Sequence, residues 1–143
     1  MTPLINLMNE ALFVTSFMHI DETPLQVLRS GKAVGAEHYI VVCAGGPPGR
    51  RIILYDYIAS RTKAAFRQLL IGADGAYRGK LISDGLERYD EIEAELNLLH
   101  FGCLQHCRSM FFKGRKVSQL PSSRTLASVA IETYIRQLYQ VER

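Results

Sequence analysis

Two short apolar runs each end in an aspartate: Met18-His19-Ile20-Asp21 and Leu81-Ile82-Ser83-Asp84. The ends of strands are where open α/β sheets present their ligands. Two carboxylates on neighbouring strands repel one another unless a divalent cation neutralises them, and hard oxygen donors select Mg²⁺ or Mn²⁺. A pair of such ions about 3.5–4 Å apart activates an attacking oxygen and stabilises a leaving one in phosphodiester displacement. The same residues have plainer duties open to them. Asp21 can begin a turn before Pro24, and Asp84 can cap the helix that follows. Residue types alone leave both accounts standing.

Other constellations carry less. His100, Cys103, His106 and Cys107 are zinc-ligand types, with Cys103 and Cys107 one helical turn apart. Their spacing matches no common structural zinc pattern, and free cysteine packs as a small hydrophobe, so packing is the better account. Arg50 and Arg51, then Lys113, Arg115 and Lys116, form two basic clusters placed in expected loops. Such clusters suit phosphate contacts that position DNA without reading its sequence, with solvated loop charge as the alternative. Gly45-Gly46-Pro47-Pro48-Gly49 lacks the spacing and Lys-Ser/Thr ending of a phosphate-cradling loop. It reads as a hairpin connection, and no nucleotide cofactor is implied.

The elements that must position the aspartates can be read from periodicity. Thr2 to Leu12 has helical spacing, and Phe13 to Ile20 is a strand running into Asp21. Lys32 to Ala44 and Arg51 to Tyr57 form an antiparallel hairpin around the Gly/Pro cluster. A helix starts from Ser60 as N-cap and ends at Gly72 and Gly75. Lys80 to Ser83 is a strand, Leu86, Tyr89, Ile92 and Leu96 stripe a helix, and Leu98 to Gly102 is a fifth short strand. Leu104 to Phe112 is helical, Lys113 to Ser123 is a basic loop containing Pro121, and Leu126, Val129, Ala130, Ile135 and Leu138 stripe a last helix. Three sequential strands followed by alternating helices and strands favour an α/β fold, a mixed sheet with helices on its faces. The fourth strand returns through a helical crossover and can lie parallel to the first, which brings Asp21 and Asp84 to the same end.

A chain of 143 residues that is 48% hydrophobic supports one domain with a real core, and residues 1–143 read as a single unit. The 17 Lys and Arg against 14 Asp and Glu leave a net charge of +3, which permits nucleic-acid binding without demanding it. No apolar run approaches the roughly 20 residues of a membrane span, and no signal peptide precedes the first helix, so a cytoplasmic protein without membrane partners is expected. Three cysteines, an odd number, fit reduced thiols.

Four blocks then fall in a familiar order. His19-Ile20-Asp21-Glu22-Thr23-Pro24 resembles the His-x-Asp-Glu-Thr-Pro run of the insertion-sequence-66 family of transposases. Tyr55-Asp56-Tyr57-Ile58-Ala59-Ser60-Arg61 is similar to its Tyr-x-Tyr-x-x-Ser-Arg. Asp84-Gly85 with Tyr89 resembles its Asp-Gly-Tyr-x-x-Tyr, and Gly102-Cys103-Leu104-Gln105-His106-Cys107-Arg108 its Gly-Cys-Trp-x-His-x-Arg-Arg. The resemblance spans about Phe17 to Phe112 and continues more loosely to the end of the chain.

The resemblance implies a ribonuclease H-like fold, a triad of two Asp and one Glu, two Mg²⁺ or Mn²⁺ ions, and DNA strand transfer by direct attack on phosphodiesters. By carry-over Asp21 and Asp84 are the first two catalytic, metal-binding acids. His106, Arg108 and Arg61 join Arg50, Arg51, Lys113, Arg115 and Lys116 as expected DNA contacts. The partners implied are transposon-end and target DNA and further copies of the chain, in a bacterial, nucleoid-associated setting. Departures are Leu86 for Tyr, Leu104 for Trp and Ser109 for the second Arg. The family's third acid lies far downstream, and the in-chain substitutes, Glu132 and Glu142, are weak. The sequence is therefore expected to be truncated before that acid and not to cut DNA alone. A silent DNA-binding or assembly fragment, or another ribonuclease H-like nuclease, are the alternatives.

Overall fold

A computed structural model of the chain describes residues 2–27, 38–72, 75–85, 87–117 and 125–141. The start of the expected Lys32 strand, Leu86, Pro121 and Glu142 lie outside the described residues. The chain divides into two compact units, Met1–Phe101 and Gly102–Arg143.

The first unit opens with helix α1, Thr2–Phe13. Thr15 closes it, because its N–H and its hydroxyl both donate to the Leu12 carbonyl oxygen, at 3.1 and 2.7 Å. The helix thus takes Phe13, and strand β1 spans Phe17–Leu25 rather than ending at Asp21. What carries it onward is its antiparallel ladder with β2, His38–Gly45, which runs in register from Met18↔Gly45 to Leu25↔His38. Strand β3, Ile52–Ile58, continues the meander on the far side of β2. The β2–β3 connection is a tight turn in which Arg50 N–H donates to the Pro47 carbonyl at 3.0 Å. Gly49 sits at φ +80°, the position of a Pro-x-Gly turn that only a residue tolerant of positive φ fills at no steric cost.

Helix α2, Lys63–Leu69, begins two residues later than its sequence reading. Thr62 supplies the cap, its hydroxyl accepting from Ala65 N–H, and Ser60 lies outside the helix. Gly72 and Gly75, expected only as breakers, belong to a two-residue hairpin of β4, Ile71–Gly72, and β5, Gly75–Ala76. Strand β6, Lys80–Ser83, then pairs parallel to β1, helix α3 spans Glu87–Leu96, and β7, Leu99–Gly102, lies beyond β6. The strand order is β3-β2-β1-β6-β7, which is the ribonuclease H-like mixed sheet that the resemblance implied.

Alternation along the central strands decides which face is covered. Met18 and Ile20 of β1, Val41 and Cys43 of β2, Leu54 and Ile58 of β3 and Leu81 of β6 are buried in one cluster with Leu12, Phe66, Leu70, Tyr89 and Ile92 of the helical segments. Each large side chain so buried contributes about 1.5–3 kcal/mol. The residues between them, His19 and Asp21 on β1 and Ile53, Tyr55 and Tyr57 on β3, are exposed.

The second unit begins with helix α4, Leu104–Val117. The expected basic loop from Lys113 is helical as far as Val117. Lys and Arg are good helix formers, and Arg115 and Lys116 in the last turn complement the helix dipole. After Thr125, whose hydroxyl caps α5, Leu126–Val129, the backbone widens into a π-helical turn, Ala130–Ile135, before α6, Arg136–Val141. The expected apolar stripe is only partly the buried one. Ile131 and Ile135 are covered, whereas Leu126, Val129 and Leu138 are exposed. Among the described residues no helix is long and apolar enough to cross a membrane.

Candidate functional site

The parallel ladder between β1 and β6 pairs Phe17 with Lys80, Met18 with Leu81 and His19 with Ile82, an offset of 63 positions throughout. Asp21 and Asp84 are separated by the same 63 positions. The ladder ends two residues before each aspartate, with Asp21 inside β1 and Asp84 directly after the end of β6, so the two lie at equivalent positions beyond the last paired residues. The faces of the two strands agree as well. Met18 and Leu81, then Ile20 and Ser83, are the buried members of each strand. Asp21 thus takes the opposite face of β1, together with His19, and Asp84 is the residue at which the chain leaves β6.

Asp21 is exposed and Asp84 half-buried, so both carboxylates can be reached from solvent. By the chemistry of their donors, two carboxylates would fit a Mg²⁺ or Mn²⁺ ion, and this donor set does not suit a soft metal. His100, Cys103, His106 and Cys107 do not make a comparable group. Among the described residues, no three or more His, Cys, Asp or Glu side chains cluster as a ligand set.

Directly behind the acids, on the covered face, lies a buried polar network. Glu22, next to Asp21, turns its side chain the other way, and that side chain is only 2% exposed. Arg61 donates to its Oε2 at 3.1 Å, and the Tyr89 hydroxyl donates to its Oε1. The Arg61 guanidinium also lies 5.0 Å from the centre of the Tyr39 ring. Burial opposes the charge on Arg61, but the Glu22 carboxylate outweighs it and raises its pKa. For Tyr89, burial and then the Glu22 carboxylate push the phenol well above its ordinary value, so it remains a proton donor.

The same network reaches the second acid. The Tyr89 ring lies 5.3 Å from that of His100, and His100 Nε2 shares a 2.7 Å hydrogen bond with the Ser83 hydroxyl. Ser83 precedes Asp84, and its hydroxyl also accepts from Gly85 N–H at 3.4 Å. Gly85 has φ +79°, which lets the chain turn away immediately after the aspartate.

Glu22, Tyr89, Ser83 and His100 had been given no role at this centre. The available signal was that Glu22, Arg61 and Tyr89 are fixed members of three of the four family blocks. Arg61, expected on DNA, has its guanidinium on Glu22 instead of directed wholly outward. Arg50 and Arg51 are exposed at the β2–β3 turn. In the second unit, Lys113 and Lys116 are exposed on α4, while Arg108 and Arg115 lie 4.6 and 4.7 Å from the Phe112 ring. His106 is half-buried on the same helix. Glu132, on the π-helical turn, is exposed and pairs with Arg136 at 3.5 Å. A concavity of the first unit is lined by Asn6, Glu10, Asp56, Gln68 and Arg78 among others, and by neither Asp21 nor Asp84.

Among solved structures, the chain is similar to one described as the cryo-EM structure of the simian T-cell lymphotropic virus intasome in complex with PP2A regulatory subunit B56 gamma. The identity is 10% and the TM-score 0.43, over 84% of this chain and 49% of that one, so the chain spans about half the length of the solved chain it matches. A comparison with curated proteins gave no match. The family profile described as Transposase IS66 family matches residues 1–143, the whole chain, and the protein therefore belongs to the IS66 family of transposases.

Proposed function

We propose that this chain forms the catalytic core of a DDE-type transposase in which Asp21 and Asp84 together hold Mg²⁺ or Mn²⁺ for phosphodiester hydrolysis and strand transfer at insertion-sequence ends. The observation that supports it is the parallel β1–β6 ladder, whose offset of 63 positions is also the spacing of the two aspartates. A divalent ion bound there would polarise a phosphate oxygen and lower the pKa of an attacking water or 3′-hydroxyl. Asp21 and Asp84 fix its place at the sheet edge. Exposed Arg50, Arg51, Lys113 and Lys116, with Arg108 and Arg115, supply positive charge for the DNA backbone, and His106 a ring nitrogen for hydrogen bonding. Transposon-end and target DNA are the partners, several copies of the chain act together on them, and the setting is the bacterial cytoplasm and its nucleoid.

A two-ion site needs a third carboxylate, to which this reading assigns no residue of the chain. The chain alone is therefore expected to bind metal and DNA without cutting. Calorimetric titration with Mn²⁺ should show binding that Asp21→Asn and Asp84→Asn each abolish. Metal binding indifferent to both substitutions overturns the assignment. Mg²⁺-dependent nicking by the chain, lost in Asp84→Ala, would show that it already holds a complete triad. For the DNA contacts, Lys113→Ala and Lys116→Ala should each reduce the slope of log affinity against log salt by about one.

A further inference from the structure

We propose that Glu22 is a positioning residue for the proposed metal centre: through Arg61 and Tyr89 it fixes the middle of β1 relative to the helix that follows β6, and so sets the spacing of Asp21 and Asp84. The inference rests on the metal reading above for its purpose, but not for its geometry.

The argument begins with a gap in the sheet. Backbone pairing between β1 and β6 reaches only His19↔Ile82, and the acids lie two residues further on, past the last paired residues. On its other side β1 is held by β2, but β6 ends at Ser83. Something other than the ladder must hold Asp84 next to Asp21. The side chains one residue away from each acid do so. Glu22 follows Asp21, and Ser83 precedes Asp84. Glu22 and Ser83 both point into the covered face, and Tyr89 joins them, with its hydroxyl on Glu22 and its ring against the His100 that bonds Ser83.

Glu22 cannot serve as a third ligand beside Asp21, because successive side chains on a strand leave opposite faces. Its carboxylate is already committed to Arg61 and Tyr89. A buried carboxylate with one oxygen on a guanidinium and the other on a phenol has a fixed orientation, since both partners constrain the plane of the group. Arg61 comes from the β3–α2 connection and Tyr89 from α3, the helix that leaves Asp84. The contact therefore ties two separate parts of the chain to the residue adjoining the first acid.

Two measurements on the full chain test this, one of which needs no metal. Residue-resolved amide hydrogen exchange should show Tyr89→Phe and Glu22→Gln accelerating exchange about tenfold at positions 20–22 and 83–85, with Val41 and Leu54 unchanged. Manganese affinity, measured where every variant is fully folded, should fall about fivefold or more in both, and Arg61→Lys, which keeps the cation, should retain most of it. Exchange at parental rates near the acids overturns the proposal. So does acceleration spread equally over the sheet, which is what a merely structural residue would give. Parental manganese affinity in Glu22→Gln and Tyr89→Phe overturns it too. Failure of the metal reading shows itself separately, as manganese binding that survives Asp21→Asn while the exchange result stands. Should Glu22→Gln not fold, Tyr89→Phe, which removes a single hydroxyl, decides the matter.

Discussion

The ion pair between Arg61 and Glu22 allows a stability experiment whose asymmetry can be worked out in advance. At 3.1 Å the two charges attract by about 5 kcal/mol in a medium of effective dielectric about 20. The Arg61 side chain is 28% exposed and that of Glu22 2%, so water screens one partner and hardly touches the other. We expect a double-mutant coupling of about 2–3 kcal/mol after that screening. Glu22→Gln keeps an acceptor for Tyr89 and leaves a guanidinium that can turn to solvent. Its cost is about 1.5–2.5 kcal/mol. Arg61→Met keeps the apolar stem and strands a buried carboxylate, at about 3–4 kcal/mol. Urea denaturation followed by circular dichroism, on the parent, both single variants and the double variant, gives all four values. Arg61→Met proving milder than Glu22→Gln, or a coupling below about 0.5 kcal/mol, would refute the account of a desolvated pair.

Three further outcomes are expected. Burial raises the pKa of Asp56, so its contribution to stability is full below the ordinary carboxylate value and is lost as pH rises through the folded value. Asp56→Asn should therefore stabilise the chain at pH 7, with the gain vanishing in acid, as thermal melts across pH would show. The Cys43 thiol is pushed up to about 12, chiefly by burial, while Cys107 is exposed. Iodoacetamide at pH 8 should label Cys107 in the native chain and reach Cys43 only on unfolding. At Gly45 an added Cβ would lie 2.7 Å from Leu12 Cδ1 and 2.9 Å from the Phe17 carbonyl oxygen, so Gly45→Ala should lower stability by about 1–3 kcal/mol in the same denaturation assay.

Much of the sheet was readable because its strands are rich in β-branched and aromatic residues and separated by strong turn signals. The Pro-Pro-Gly turn before Arg50 is the clearest of these. The boundary at Phe13 was not, since an apolar run reads equally well as helix or strand and the Thr15 hydrogen bonds that decide it leave no periodic trace. The length of β1 was underestimated for a related reason. Thr23 and Pro24 read as a turn, yet the ladder to β2 overrides that local preference. Helix α4 runs past its expected end because Lys113, Arg115 and Lys116, charged residues typical of a loop, are also good helix formers in a favourable last turn. At the site, the parallel return of β6 beside β1 could be read from the helical crossover between them. The role of Glu22 could not, since an acid beside a candidate acid carries no sign of which face it takes until the strand's alternation and its partners are known.

The separation of β1 from β6 along the chain governs when the two acids can meet. The β2–β3 pairing closes through a six-residue connection, whereas Asp21 must wait for a segment 63 positions later. Closing the longer loop costs roughly 2 kcal/mol more in chain entropy, and such non-local contacts form late. During synthesis the nascent chain carries its first carboxylate for several seconds before the second emerges, at about 5–20 residues per second. The proposed centre is in this sense assembled only after the meander, so a partly made polypeptide would already have the three strands but no second carboxylate with which to hold a cation.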